Sequence, residues 1–296
     1  MKNNPNVIPS EAYCSLKKMG WIYQICYTEH HNTKCPILLL DKDNYMIQET
    51  GEVKECNHIE NRSENKFQVA QSLKRLREYI NTNVTDVNKC KWITLTYAEN
   101  MTDPKRLYND LKNFIKKFRR HFGHIEYILA CEPQGRGAWH CHCLFFFDKK
   151  APYIPNKIIE NLWGHGFTKT TKLDNIDNVG AYLTAYLGDV DLKSCNDLGL
   201  PYLSSDIKTV EEIGGKKLKT PKKFVKGARL YLYPPKFNLY RISRGIKAPI
   251  KEYGSYHVLK EKIGLKDPTY SKALVVTCAN NFSNKVIYED YNIKKS

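Results

Sequence analysis

The stretch Trp139-His140-Cys141-His142-Cys143-Leu144-Phe145-Phe146-Phe147 restricts the fold of this 296-residue chain more than any other. In an extended strand successive side chains point to opposite faces, so residues two apart share one. Trp139, Cys141, Cys143 and Phe145 then form an apolar stripe, and His140 and His142 lie together on the other face. The apolar stripe needs a core beneath it. The strand thereby becomes a rigid mount for two imidazoles whose ring nitrogens can converge on one cation.

Ile125 to Cys131 reads as a preceding strand, and the turn Glu132-Pro133-Gln134-Gly135-Arg136-Gly137 joins the two as a hairpin. Glu132, at the end of that strand, comes within reach of the histidine pair. Two imidazoles and one hard carboxylate oxygen, with positions left for phosphate and water, suit Mn²⁺ or Mg²⁺ better than a closed structural zinc. Cys141 and Cys143 fall on the wrong face to join them.

The flanking sequence supplies helices. Val69, Leu73, Leu76 and Ile80 recur at helical spacing in Lys66–Ile80, and Lys91–Tyr97 alternates as a strand. Asp103-Pro104 opens a second helix, with Leu107, Leu111, Phe114, Ile115, Phe118 and Phe122 as its buried stripe and Gly123 as its stop. Pro155–Leu162 reads as a helix and Phe167–Leu173 as a strand. Asp174 or Asn175 caps a further helix running through Ile176 to Leu187. A β-hairpin within this alternation favours an α+β fold, an antiparallel central sheet flanked by helices, over a doubly wound parallel sheet.

Forty-seven basic against 31 acidic residues give a net charge of +16, as expected of a nucleic-acid ligand. Between Ile213 and Lys251 there is no Asp or Glu, while Lys216, Lys222, Lys226, Arg229, Lys236, Arg241, Arg244 and other cations accumulate. Tyr231, Tyr233, Phe237 and Tyr240 run through them, offering faces on which unpaired bases could stack. Arg136, Lys169 and Lys172 are further candidate phosphate contacts. Ten cysteines without a secretory-type opening point to reduced thiols and a soluble cytoplasmic protein. Cys14, Cys26, Cys35 and Cys56, with His30, His31 and His58, could hold zinc, although no CxxC pair occurs. Three consecutive stretches are expected: 1–65 with no legible role, 66–192 carrying the chemistry, and 193–296, basic.

Tyr182 and Tyr186, one turn apart on the last of these helices, carry their hydroxyls on one side. In order and spacing, the strand Trp92–Tyr97, the strand His140-Cys141-His142 with Glu132, and the helix Tyr182-Leu183-Thr184-Ala185-Tyr186 resemble the three motifs of the HUH endonucleases. The closest likeness is to the rolling-circle replication initiators of bacterial plasmids and phages. The resemblance covers roughly Lys66 to Leu192. It implies the ferredoxin-like HUH fold with N- and C-terminal additions, a divalent metal on Glu132, His140 and His142, and nucleophilic Tyr182 and Tyr186. The implied reaction is nicking and rejoining of single-stranded origin DNA through a 5′-phosphotyrosine.

Many members place Lys three residues after the first tyrosine. Ala185 stands there in this chain, with Lys193 the candidate replacement. Tyrosines following the histidine strand argue against a conjugative relaxase, and the long basic segment argues against a short HUH transposase. A non-catalytic basic DNA-binding regulator is the remaining alternative. No GxxxxGK[ST] occurs, so a host helicase, together with a host polymerase, is the expected partner.

Overall fold

The computed structural model describes residues 7–31, 36–58, 62–173, 180, 188–213, 216–234, 236–277 and 282–294. Strands β1 (Tyr13–Met19) and β2 (Ile22–Thr28) come first, then β3 (Ile37–Leu39), β4 (Asn44–Ile47) and β5 (Val53–Glu55). Helix α1 (Lys66–Asn83) leads to β6 (Cys90–Thr96), α2 (Pro104–Phe122), β7 (Glu126–Pro133), β8 (Trp139–Phe146), α3 (Asn156–Trp163) and β9 (Thr168–Thr171). Then come β10 (Val190–Asp191), α4 (Leu192–Asp197), β11 (Ile207–Ile213), β12 (Lys216–Val225) and β13 (Tyr240–Ile242). The last elements are β14 (Ile250–Ser255), α5 (Tyr256–Lys262), β15 (Tyr270–Thr277) and β16 (Ser283–Asn292).

Two compact units result: Asn61–Pro249, and Met1–Glu60 together with Ile250–Ser296. This differs from three consecutive stretches. β1 pairs with β14 and β2 with β16, so the first stretch and the tail of the last build one sheet, while residues up to Pro249 belong with the central unit. Strand pairing between opposite ends of a chain leaves no local signal in either end.

The central unit is α+β. Its five-stranded antiparallel sheet has the order β13-β7-β8-β6-β9, and helices cover parts of both faces. α2 begins where Asp103 accepts a hydrogen bond from the Lys105 N–H and Pro104 fills the first turn. It ends at Gly123, whose φ of 81° a side chain would resist. Leu107, Leu111, Phe114 and Phe118 pack with Cys141, Cys143 and Phe145 of β8 and with Ile159 and Trp163 of α3. On the opposite face Leu76 and Ile80 of α1, with Val84, pack with Trp92, Ile128 and Leu144. Both expected helical stripes are therefore real, and they serve opposite faces of one sheet.

The segment after β12 corrects part of the sequence reading. Tyr233 and Phe237, read as platforms for bases, are each 3% exposed and belong to the core. The Phe237 ring stacks on Trp139 at 4.4 Å, and the Tyr233 hydroxyl donates to the Cys131 carbonyl at 3.0 Å. Tyr240 lies beside Tyr79, and Tyr231 stays exposed. An aromatic on a basic stretch looks the same in sequence whether it faces core or solvent. The proposed N-terminal zinc set does not assemble either: Cys14 points into a core with Leu16 and Ile25, while Cys26, across from Ser15, points to the other face of the same sheet. Cys35 lies outside the described residues. Among those residues, no helix is long and apolar enough to cross a membrane.

Gly166 fixes how the chain enters β9. Its φ is +153°, and a Cβ there would come within 2.4 Å of the Ala98 nitrogen and 2.6 Å of the Thr96 carbonyl oxygen. Both are backbone atoms that cannot move aside cheaply. Gly166→Ala is expected to destabilise by about 2 kcal/mol or more, lowering the thermal midpoint by about 4–8 °C in a calorimetric scan. An unchanged midpoint would contradict this account of the β6–β9 edge.

Candidate metal centre

The sheet register builds the site. On the face shared with α1, Trp92, Leu144 and Ile128 lie side by side across β6, β8 and β7 and are covered by helix. Two residues along each strand the row becomes Tyr240, Ala130, His142, Thr94 and Lys169, and the next row pairs Glu132 with His140 and His140 with Thr96. Directly paired residues bring their Cβ atoms to about 5 Å on the same face. Glu132, His140 and His142 consequently offer ligand atoms within 4.8 Å of one another, the only such group of three or more among the described residues. Cys141 and Cys143, each 0% exposed, point the other way, as the alternation requires.

Each member is held from behind. His142 stacks on Trp92 (centroids 5.1 Å apart, planes 18°), its Nδ1 lies 3.4 Å from the Thr94 hydroxyl, and its Nε2 is 3.5 Å from Glu132 Oε1. His140 lies with Nδ1 3.8 Å from Glu132 Oε1 and 3.4 Å from the Gln134 amide nitrogen. Burial, reinforced by the neighbouring His142, pushes His140 down to about 4, so at neutral pH it is an uncharged imidazole. Its Nε2 is buried with no hydrogen-bond partner. An unsatisfied buried acceptor costs about 1–3 kcal/mol, and a Lewis-acidic ion beside it would remove that cost. Burial of Glu132 works against its ionisation, but the Arg229 guanidinium and both imidazoles outweigh it and hold the carboxyl below its ordinary value. A buried carboxylate flanked by two neutral imidazoles is a donor set that fits a divalent ion.

Arg229, expected to contact DNA, is placed at this centre instead. Its Nη1 donates to the Pro133 carbonyl at 2.8 Å and lies 3.7 Å from Glu132 Oε1, while Nε and Nη2 both donate to the Asp189 carbonyl. Asp189 in turn accepts from Lys208 and from the Gly227 N–H. Nothing local in the sequence joins Arg229 and Asp189 to Glu132, so reading the chain alone missed this brace. Trp92 and Thr94 could have been found, because the alternation of β6 puts them on one face and only the register was lacking.

The other expected residues are scattered. Tyr182 and Tyr186 lie outside the described residues, but the chain on either side is anchored. The Gly180 N–H donates to Asn81 of α1 at 2.8 Å, and a Cβ at Gly180 would come within 2.6 Å of the Arg77 carbonyl oxygen. Asp189 is bound by Arg229, as above. Lys169 is exposed and shares the histidine face, and Lys172 is exposed just beyond β9. Arg136 donates to the carbonyls of Tyr97 and Ala98, tying the β7–β8 turn to the end of β6. Arg241 pairs with Leu129 and so faces away from the histidines, its guanidinium 3.6 Å from the Tyr108 ring centre. There it lines a cleft of about 450 Å³ with Lys112, Lys116 and Arg119. Lys236 and Arg244 are exposed on loops.

Residues 90–191 match the model of a family of replication-associated proteins of the ORF2 type. The matched span, about a third of the chain, runs from β6 through the histidine strand to β10 and contains all three members of the centre. It supports a role in replication. No curated protein and no solved structure matches this chain.

Mn²⁺ at about 100 times its dissociation constant is expected to stabilise the protein by about 2.7 kcal/mol, read as a rise in melting temperature. The double variant His140→Ala/His142→Ala should lose the rise altogether. Thr94→Val, which removes only the hydroxyl behind His142, should weaken Mn²⁺ about 10- to 100-fold. Equal responses from parent and double variant would place the ion elsewhere.

Proposed function

We propose that this protein initiates rolling-circle replication by nicking and rejoining single-stranded origin DNA through tyrosine transesterification. The observation that carries the reading is the convergence of Glu132, His140 and His142 on one sheet face, inside the span that matches a replication-associated family. A divalent ion bound there, Mn²⁺ or Mg²⁺, would act as a Lewis acid and template for a phosphodiester. Glu132, kept ionised by Arg229, and two neutral imidazoles would hold it. Lys169 on the same face, Lys172 just beyond β9 and Arg136 in the β7–β8 turn would meet backbone phosphates and hold the strand in register.

In this reading the phenolic oxygen of Tyr182 or Tyr186 attacks the phosphorus. The new Tyr O–P bond forms as the P–O3′ bond breaks, the phenolic proton passes to water, and the 3′ oxygen leaves as a hydroxyl that primes synthesis. The phosphodiester is conserved in the protein–DNA link, so the reverse attack rejoins the strand without a nucleotide cofactor. The second tyrosine permits a further transfer while the first is still esterified. The anchors at Gly180 and Asp189 support this placement: the first ties the chain to α1, which packs on the histidine face, and the second ties it to Arg229 beside Glu132. Strand separation and synthesis would come from a host helicase and polymerase.

The test is a denaturation-resistant adduct between the full chain and a labelled single-stranded origin oligonucleotide in Mn²⁺. Tyr182→Phe/Tyr186→Phe should abolish the adduct, and each single variant should show which tyrosine suffices. Glu132→Gln should lower the rate by about 10²–10³, the scale for losing one electrostatic element of a transition-state site. An adduct that survives in the double phenylalanine variant would refute the catalytic assignment.

A further inference from the structure

The other unit carries a five-stranded antiparallel sheet, in the order β14-β1-β2-β16-β15, with two unlike faces. Helix α5 covers one: Leu259 and Ile263 pack with Cys14, Leu16, Ile25 and Ile287. A seven-residue helix is about 10 Å long, whereas five strands extend about 19 Å across. One such helix cannot cover both faces.

The register specifies the opposite face. One row across it reads Tyr253, Ser15, Cys26, Tyr288 and Lys272, and the adjacent row reads Lys251, Lys17, Gln24, Asp290 and Tyr270. Tyr13 flanks the first row. Met19 and Ile22 are buried at one corner, but Tyr13 is 58% exposed and Tyr253 and Tyr270 are each 54% exposed. A solvated sheet face is ordinarily polar; this one holds open aromatic rings. The Tyr13 and Tyr253 rings are parallel (6.0 Å, 8°), and Lys251 Nζ lies 4.7 Å from the Tyr253 ring centre. The one acid in the two rows, Asp290, accepts a hydrogen bond from the Gln24 amide at 2.7 Å.

We propose that this face is a platform for an unpaired DNA strand, with bases stacked on Tyr13, Tyr253 and Tyr270 and phosphates against Lys17, Lys251 and Lys272. Unpaired DNA offers π-faces and a negative charge at every nucleotide, and the surface offers the complement of both. A second copy of the chain fits less well, since face-to-face packing would set these lysines against their own kind on a molecule of charge +16. The platform lies outside the matched span 90–191 and needs none of the nicking chemistry.

The test is fluorescence anisotropy of the full chain with a mixed-sequence oligodeoxynucleotide of about 15 nucleotides, in EDTA so that no cleavage occurs. Tyr13→Ala and Tyr253→Ala should each weaken binding about 5- to 150-fold, and the corresponding phenylalanine variants should retain most of it. Lys251→Glu/Lys272→Glu, on exposed side chains, gives an independent check if the alanine variants melt early. It should weaken binding and flatten the salt dependence by about 1.4 in log–log slope. Unchanged affinity in the alanine variants, phenylalanine variants as weak as alanine, or a parent dimer that the alanine variants convert to monomer would each overturn the platform. Because binding is read without metal and adduct formation with it, either proposal can fail while the other stands.

Discussion

The antiparallel register of β7, β8 and β6 is the constraint on which the centre depends. It sets Glu132 across from His140 and leaves His142 one row nearer the helix-covered part of the same face. A slip of one residue in β8 would turn both imidazoles into the core and expose Cys141 and Cys143. The core forbids this: Cys141, Cys143 and Phe145 are each 0% exposed, and Leu144 is 0% exposed on the other face. Packing energy on both faces of one strand therefore holds three polar ligands in place, although none of that energy comes from the ligands.

The buried carboxylate raises a second demand. Glu132 is 8% exposed, and a charge so far from water is tolerated only with compensation. Arg229 supplies it, and its remaining donors go to the carbonyls of Pro133 and Asp189. One guanidinium thus joins the end of β7, the chain just before β10 and the segment after β12. That arrangement explains why residues beyond 192 belong to the central unit: they complete the electrostatics of a site whose ligands all lie earlier in the chain.

What could be read from the sequence divides along the same lines. Local periodicities were legible: the alternation that pairs His140 with His142, the hairpin that brings Glu132 close, the Asp103 start and Gly123 stop of α2, and the buried stripe of α1. Long-range partnerships were not. The pairing of β1 with β14 and the reach of Arg229 to Glu132 depend on contacts between distant parts of the chain, which no window of residues records. The aromatics of the basic segment sat between these cases. Their spacing was visible, but whether Tyr233 and Phe237 met bases or Trp139 depended on which side of the chain the core would form.

The two units treat aromatic residues in opposite ways, and the cause is how much helix each has to set against its sheet. In the central unit α1, α2 and α3 serve both faces, so Trp139, Phe145, Tyr233 and Phe237 become interior and the histidine face opens only beyond the row capped by α1. The other unit has α5 for one face of its five-stranded sheet. Its far face could have alternated small polar residues, as a merely solvated sheet does. Instead Tyr13, Tyr253 and Tyr270 stand there among lysines, and hydrated aromatic surface of that kind lowers the free energy of the molecule only when something planar comes to cover it.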